Sequence, residues 1–273
     1  MPGEPTVSVI VVAYRARDHV LACLPTIAAN VRLDHEVIVV DDGSDDGTPE
    51  AVRAAHPGVT VVARPVNGGL VAGRNDGLRV ARGRYVLMLD ADTRVREGAV
   101  EALVDVLESR PEVGLVGPRL VYPDGSLQLS SFRFPPVLLP LVRRGPYARW
   151  VDADPPMHRH HQMRDWDHAS ERPVVWLMGA AQMYRRELPE RLGPYDRRIS
   201  SYGGEDIDWC LRVWGAGLEV RYVSAAEIEH HFQKVTRRKP FGRASLRALA
   251  DWYYIQLKHR RLRGDPRLLP ARD

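Results

Sequence analysis

The stretch YVLMLDAD, residues 85–92, ends a run of apolar residues with two aspartates. Its first five residues, Tyr85–Leu89, have the length and composition of a buried strand. Asp90 and Asp92 would then lie at the carboxyl end of that strand. This stretch decides the fold because the segments around it repeat the same pattern, an apolar run followed or preceded by a helix.

Outward from this stretch, apolar runs alternate with helical patterns. The predicted strands of the first half are Val7–Ala13, Glu36–Val40, Val59–Ala63, Tyr85–Leu89 and Val113–Val116. The helices predicted between them cover about 18–29, a segment after 48, 70–81 and 99–108. Strands that alternate with helices indicate an α/β fold with a Rossmann-like, mainly parallel sheet flanked by helices. In such a sheet the ligand crevice lies at the carboxyl ends of the strands.

The second half of the chain is less regular. Residues 131–172 lack a consistent pattern and predict an irregular excursion from the core, not a separate domain. The regular segments predicted after it are the strands Val174–Tyr184 and Val220–Val223 and the helices Glu205–Trp214 and Ser245–Leu262. We therefore predict one core domain over residues 1–232 and a basic amphipathic helical tail over residues 233–273.

Composition restricts the class of protein. The 273 residues suit one large domain, 44% of them are apolar, and the net charge of +4 is too mild to indicate nucleic acid. Cys23 and Cys210 fit neither a metal motif nor a disulfide framework and favour a reducing compartment. We find no signal peptide and no apolar run near the roughly 18 to 20 residues that span a bilayer. These features predict a cytoplasmic protein whose membrane contact, at the inner face, would be peripheral.

Acidic residues follow two of the predicted strands. Asp90 and Asp92 are one residue apart, and carboxylates at this spacing can hold a hard divalent cation such as Mg²⁺ or Mn²⁺. Asp41 and Asp42 follow the strand Glu36–Val40, where an aspartate can accept a hydrogen bond from the imide N–H of uracil or thymine. Ordinary turns use the same residue types, so each pair alone also fits a solvated turn.

A glycine-rich segment and an acidic helix start supply further candidates. In NGGLVAGRN, residues 67–75, small residues allow the backbone to approach a ligand, and Arg74 can pair with a phosphate. This segment is neither a Walker loop nor a dinucleotide fingerprint. In GGEDIDW, residues 203–209, an acid can serve as a general base, although acids in a first helical turn also complement the helix dipole.

Histidines provide two candidate sets of metal ligands. His230, shortly after the last predicted strand, can complete a ligand set with Asp90 and Asp92, and it also fits a structural role. A second set has the residue types of a zinc site without cysteine partners and lies in the irregular segment: His158, His160 and His161.

Taken in order, these segments resemble the family 2 glycosyltransferases of the GT-A fold. The matching segments, between about residues 7 and 232, are VSVIVVAY, VVDDGSDDGT, NGGLVAGRNDGL, GRYVLMLDADT, WLMGAAQMYRRE, GGEDIDWCLRVWGAG and EHH. The segment LVGPRLVYPDGSLQLS, together with WLMGAA and the late His-His, further resembles bacterial rhamnosyltransferases that use dTDP-rhamnose.

The resemblance implies a role for each candidate residue. Asp90 and Asp92 would form the metal-binding D-x-D, with His230 as a third ligand. The acids of the second half would be Asp206 as catalytic base and Glu205, which would orient the base or the acceptor. The residues implied at the nucleotide sugar are Ala13, Tyr14, Asp41, Asp42, Asn67, Arg74, Asp90 and Gly179. Many relatives have Tyr-Asn where this chain has Tyr14-Arg15, so its base pocket departs from the family pattern.

The implied reaction transfers a sugar with inversion from a dTDP- or UDP-sugar to a hydroxyl of a glycan or lipid-linked acceptor. The sugar would be L-rhamnose or, alternatively, a UDP-linked hexose or N-acetylhexosamine. A nucleotidyltransferase is a second alternative, but it would favour a basic glycine-rich loop after the first strand. A non-catalytic sugar-nucleotide-binding module is a third, which the intact Asp90, Asp92 and Asp206 disfavour.

The tail is rich in basic residues. Residues 234–263 contain ten Lys or Arg and one acid, Asp251, with Trp252, Tyr253 and Tyr254 among them. Such a helix can rest on an anionic membrane surface through residues 234–263, or it can pack its aromatic side chains on the core. We expect no nucleic-acid partner.

Overall fold

The computed structural model describes residues 3–138, 155–200, 203–231 and 243–268. The strands in this part of the chain are β1 (Val7–Ala13), β2 (His35–Asp41), β3 (Thr60–Ala63), β4 (Tyr85–Asp90), β5 (Thr93–Val95), β6 (Val113–Val121), β7 (Leu127–Gln128), β8 (Ser131–Phe132), β9 (Arg172–Pro173), β10 (Trp176–Leu177), β11 (Ala181–Arg185) and β12 (Glu219–His230). The helices there are α1 (Arg17–Asn30), α2 (Thr48–Ala55), α3 (Leu70–Val80), α4 (Ala99–Ser109), α5 (Pro156–His161), α6 (Leu188–Leu192), α7 (Glu205–Gly215) and α8 (Arg243–Lys258).

The central sheet has the strand order β3-β2-β1-β4-β11-β6-β12-β5. Strands β1 to β4 pair in parallel, β11 is antiparallel to both of its neighbours, and β12 is parallel to β6 but antiparallel to β5. Six of these eight strands therefore run in the same direction. This confirms the predicted α/β fold with a mainly parallel sheet.

Alternating side chains of the strands pack on opposite faces of the sheet. In β1, Val9 and Val11 join the apolar cluster with α1, α2 and α4, whereas Ile10 joins the cluster with α3, α6, α7 and α8. In β4, Leu87 belongs to the first cluster and Met88 to the second. Because both faces are covered, the strands read as continuous apolar runs, which is why the sequence predicted them well.

Two predicted strands differ from the structure. The predicted strand Val174–Tyr184 is interrupted after Leu177, because β10 pairs with β8 in a separate small sheet while β11 pairs with β4 and β6. The predicted strand Val220–Val223 continues to His230, with a register shift after Val223 that sequence periodicity cannot reveal.

The register of the parallel strands determines where the candidate site lies. Ala13 at the end of β1 pairs with Asp41 at the end of β2, and Val12 pairs with Asp90 at the end of β4. Their carboxyl ends therefore meet at one edge of the sheet, as expected for a ligand crevice. His230 ends β12 and pairs with Thr93 of β5, two residues beyond Ala91.

Helix α8 packs on the core. Ile255 is buried, His259 Nε2 and Lys258 Nζ lie 2.8 and 2.7 Å from Asp208 Oδ1, and the Tyr254 hydroxyl donates to Asp196 at 2.9 Å. No helix in the described part of the chain is both long enough and apolar enough to cross a bilayer. The predicted boundary between residues 232 and 233, and the part of the tail up to residue 242, lie outside the described residues.

We predict that Asp208→Asn destabilises the protein by about 2 to 3 kcal/mol, because it leaves the ammonium group of Lys258 in α8 facing a neutral amide. Asp208 is buried, and Arg212 also approaches it at 3.1 Å. The measurement is urea unfolding at neutral pH. Glu97→Gln breaks an exposed ion pair with Arg32 and, as the control, should change stability by less than about 1 kcal/mol. Equal stability of Asp208→Asn and the parent protein would contradict the role given to this contact.

Candidate active site

A cavity of about 450 Å³ opens at the carboxyl edge of the parallel strands. Its lining includes ten of the twelve residues that the sequence analysis proposed: Ala13, Tyr14, Asp42, Arg74, Asp90, Asp92, Gly179, Glu205, Asp206 and His230. The chain supplies them from positions between 13 and 230. The parallel strands and the interrupted segment before β11 therefore converge on a single site.

Two carboxylates and an imidazole form the metal-binding candidate. One ligand atom from each of Asp90, Asp92 and His230 lies within 4.8 Å of the others. His230 Nε2 is 3.4 Å from Asp92 Oδ1, and burial raises the pKa of Asp90 above its usual value. Burial acts the same way on Asp92, but the adjacent His230 favours the ionised carboxylate and lowers the pKa of Asp92. Oxygen ligands with one imidazole suit Mn²⁺ or Mg²⁺, so these residues fit a divalent cation.

Arg74 connects the two halves of the site. Its buried guanidinium donates to the Gly179 carbonyl oxygen at 2.8 Å, to Glu205 Oε1 at 3.2 Å and to Asp90 Oδ1 at 3.4 Å. Burial alone would lower the pKa of Arg74, but the neighbouring carboxylates, Glu205 first, hold it above its usual value. The side chain that the sequence analysis placed at the nucleotide thus lies between carboxylates at the cavity wall.

Glu205 and Asp206 begin helix α7 and are both buried. Asp206 Oδ2 accepts a hydrogen bond from the Gly179 N–H at 2.9 Å, and Oδ1 accepts one from the Ile207 N–H at 2.8 Å. Burial, followed by the charge of Asp206, raises the pKa of Glu205 to about 7. Burial also raises the pKa of Asp206, although Arg74 and the two N–H groups act in the opposite direction. A carboxylate with raised proton affinity in a cavity can act as a general base.

Gly179 lies where a larger residue would not fit. A β-carbon there would be 2.8 Å from Arg74 Nη2 and 3.2 Å from Asp206 Cβ. The segment at Gly179 interrupts the predicted strand because its N–H and carbonyl are used by Asp206 and Arg74 instead of a neighbouring strand.

Two residues that were predicted to lie at the nucleotide sugar, Asp41 and Asn67, do not line the cavity. Asp41 is buried and accepts a hydrogen bond from the Ser44 N–H at 2.9 Å, and Asn67 is exposed in the turn before α3. Asp42 does line the cavity, and it also accepts from the N–H groups of Gly68 and Gly69 at 2.9 and 2.8 Å and pairs with Arg64. The acid after β2 therefore holds the glycine-rich turn in place.

Several residues at or next to the site were not singled out from the sequence, among them His19, Trp176, Met178 and Gln128. His19, Trp176 and Met178 line the cavity, and the buried Gln128 contacts His230. His19 follows the loop after β1, and that position at the carboxyl edge was a signal that could have found it. Trp176 and Met178 flank the recognised Gly179 segment. Gln128 contacts His230 across 102 residues and has no local signal in the sequence.

The alternative zinc site does not form within the described residues. His161 is buried with its ring against Phe132 and Trp176, at centroid distances of 5.5 and 5.8 Å. Burial, and then the charge of His158, lowers the pKa of His161 to about 3. His161 therefore contributes to packing, whereas His160 is exposed.

Comparison with solved structures identifies the fold. GalNAc-T7, solved with UDP, GalNAc and Mn²⁺, matches 96% of this chain with a TM-score of 0.67 at 16% sequence identity, and this chain spans 52% of it. TarS of S. aureus matches 95% of this chain with a TM-score of 0.63 at 16% identity, and this chain spans 40% of it. The fold is therefore that of the GT-A glycosyltransferases.

The sequence then gives the family. The model of glycosyl transferase family 2 matches residues 8–164, and the chain belongs to this family. A relative from Mycobacterium tuberculosis, the N-acetylglucosaminyl-diphospho-decaprenol L-rhamnosyltransferase, is 27% identical over 92% of this chain and 84% of its own length. The pre-mycofactocin glycosyltransferase of the same species is 30% identical over 78% of this chain and 42% of its own length. The predicted activity class, a glycosyltransferase, is confirmed.

We predict that Gly179→Ala lowers kcat/KM for sugar transfer by about 100-fold, because the added methyl group displaces Arg74 and Asp206 from the cavity wall. Steady-state kinetics measures the loss, and thermal unfolding checks that the variant is folded. Gly58→Ala is the matched control, since a β-carbon there meets nothing within 4 Å. A folded Gly179→Ala protein with parental kcat/KM would show that this close approach has no catalytic role.

Proposed function

We propose that this protein is an inverting, metal-dependent glycosyltransferase that moves L-rhamnose from a dTDP-sugar to a hydroxyl of a lipid-linked glycan. The observation that carries the proposal is the convergence of the ligand set Asp90, Asp92 and His230 with the buried carboxylate of Asp206 around one cavity. The first three residues would hold a divalent cation beside the diphosphate of the sugar donor. The carboxylate of Asp206 would accept the proton of the acceptor hydroxyl.

The cavity has separate regions for the two substrates. Ala13, Tyr14 and Asp42 line the side formed by β1 and β2 and would take the nucleobase, with Asp42 accepting its imide N–H. Asp90, Asp92 and His230 would hold Mn²⁺ or Mg²⁺ beside the diphosphate. When bound there, the cation neutralises the negative charge that appears on the departing diphosphate.

Asp206 acts as the catalytic base in this proposal. Its carboxylate accepts the proton of the acceptor hydroxyl as that oxygen attacks the anomeric carbon, and the bond from that carbon to the diphosphate breaks. Because the nucleophile is the acceptor itself, no covalent sugar–enzyme intermediate forms, and the anomeric configuration inverts. Glu205 positions the base through Arg74, which contacts both Glu205 and the Gly179 segment.

The M. tuberculosis relative supports rhamnose as the donor sugar and a lipid diphosphate as the acceptor carrier, because its name specifies both. A UDP-linked hexose or N-acetylhexosamine is the second candidate, supported by the UDP in the structure of GalNAc-T7. A third candidate, which is not an enzyme, is a module that binds the nucleotide sugar without transferring it. It predicts nucleotide binding without transfer, so one set of measurements separates all three.

We predict that dTDP-rhamnose with Mn²⁺ raises the melting temperature more than the UDP-sugars do, since a ligand that binds the folded state stabilises it. Asp206→Asn should keep this shift and lose at least about 100-fold in kcat, because it removes a general base. The measurements are thermal unfolding against a panel of nucleotide sugars, with and without metal, and transfer to a lipid-linked acceptor.

Asp124→Asn is the control, as Asp124 is exposed in a turn and does not line the cavity. The largest shift with a UDP-sugar would replace the rhamnosyl proposal with the hexosyl one. Donor binding without transfer in the parent protein would support the non-catalytic module, and parental transfer by a folded Asp206→Asn protein would exclude Asp206 as base.

We also propose that the outer face of α8 contacts an anionic membrane surface at the inner face of the membrane. Leu246 and Leu257 are each 62% exposed and lie three helical turns apart on the same face. Arg247, Arg260 and Arg261 are exposed beside them. Exposed apolar side chains flanked by arginines are typical of interfacial helices. The opposite face is held on the core by Asp208, so membrane contact would not require α8 to detach.

We predict that the protein sediments with vesicles that contain phosphatidylglycerol at low salt and about tenfold less at 0.5 M NaCl, because salt screens the arginines. Replacing Leu246 and Leu257 with serine should reduce binding, whereas Val80→Ser, at an exposed apolar residue of α3, should not. If the Leu246/Leu257 double variant binds as well as Val80→Ser, or if the parent protein does not bind at low salt, the outer face of α8 is not a membrane-contact surface.

A further inference from the structure

Gln128 is a buried polar residue that the proposed reaction does not use directly. It lies in β7, which pairs with β6 through Leu120, and only 2% of its surface is exposed. Its amide oxygen is 2.8 Å from Nδ1 of His230. The opposite nitrogen of that ring, Nε2, faces Asp92 Oδ1 at 3.4 Å. His230 thus lies between the amide and the acidic pair.

With the amide of Gln128 oriented as in the structure, this hydrogen bond assigns a proton to Nδ1 of His230. A carbonyl oxygen can only accept, so Nδ1 must be the N–H donor to Gln128. In a neutral ring Nε2 then has a lone pair, and this lone pair is on the side of Asp90 and Asp92. That tautomer is the one able to ligate a cation beside the two carboxylates.

The amide of Gln128 has an alternative orientation with the opposite effect. In the structure its Nε2 has no hydrogen-bond partner among the described residues, so only its oxygen holds His230. Rotating the amide would place this NH₂ group against Nδ1 of His230, which would then have to accept. The proton would move to Nε2 and point at Asp92, and the ring could not ligate a cation.

We propose that Gln128 is a positioning residue that holds His230 in the ligating tautomer and orientation for the divalent cation. The proposal rests on the proposed metal role of Asp90, Asp92 and His230. The amide of Gln128 accepts from Nδ1 of His230 without placing a negative charge there, as a carboxylate at the same position would. The acidic pair on the other side therefore provides the negative charge that attracts the cation.

The test is Mn²⁺ binding, measured on the whole protein from the electron paramagnetic resonance signal of free Mn²⁺. We expect Gln128→Leu to weaken Mn²⁺ binding by about 10- to 100-fold, the usual effect of removing the partner of a ligating histidine. Gln128→Glu keeps an acceptor oxygen and should stay within about threefold of the parent. Gln256→Leu is the matched control, since Gln256 is also buried and donates to the Pro135 carbonyl away from the cavity.

A second measurement does not depend on any variant of Gln128. Nitrogen-15 NMR of the metal-free protein, with the His230 signals assigned by their loss in His230→Ala, should show the Nδ1–H tautomer. A general loss of packing would lower stability in Gln256→Leu and Gln128→Leu alike, but only the second would change the Mn²⁺ affinity.

The outcomes separate this inference from the proposed function. Parental Mn²⁺ affinity in Gln128→Leu, or an Nε2–H tautomer in the metal-free protein, would overturn the role of Gln128 while the metal site stands. Absence of Mn²⁺ binding in the parent protein would overturn the metal assignment and this inference together.

Discussion

The site depends on one buried cation, the guanidinium of Arg74. It contacts Asp90 at the end of β4, Glu205 at the start of α7 and the carbonyl of Gly179 between them. Carboxylates that are removed from water repel one another and lose hydration, so they can share a buried wall only if a cation offsets part of that cost. Arg74 comes from α3 and therefore also fixes this helix relative to both halves of the sheet.

One guanidinium does not neutralise the cavity. Five acids line the cavity, Asp42, Asp90, Asp92, Glu205 and Asp206, and of these Asp42 pairs with Arg64. Part of the excess negative charge is relieved because burial raises the pKa of Glu205 to about 7. Asp90 and Asp92 lie on the side away from α7, next to His230. A divalent cation there matches both the charge and the ligand types. In the proposed reaction, this arrangement separates a cation-binding side from a proton-accepting side within one cavity.

The sequence predicted the part of the site that follows from the strands. Acids placed directly after buried parallel strands must meet at one edge, so the sequence alone was enough to group Asp42, Asp90 and Asp92. It was not enough for Gln128, because its two-residue strand has no periodicity and its partner His230 is 102 residues away. Asp41 and Asn67 were placed at the nucleotide by resemblance, whereas their side chains lie outside the cavity lining. Local pattern predicts strand ends well, but it cannot predict which side chains pair across the sheet.

The environment of Asp206 shows why these contacts belong together. Hydrogen bonds from two backbone N–H groups and the charge of Arg74 favour its ionised form, whereas burial favours its protonated form and prevails, so the pKa is raised. The N–H bonds also fix the orientation of the carboxylate, each on a different oxygen. If water entered beside Gly179, the burial effect would weaken and the carboxylate would become a weaker base. Three features of the site therefore depend on one another, and none of them can change alone. They are the close approach at Gly179, the burial of Arg74 and the proton affinity of Asp206.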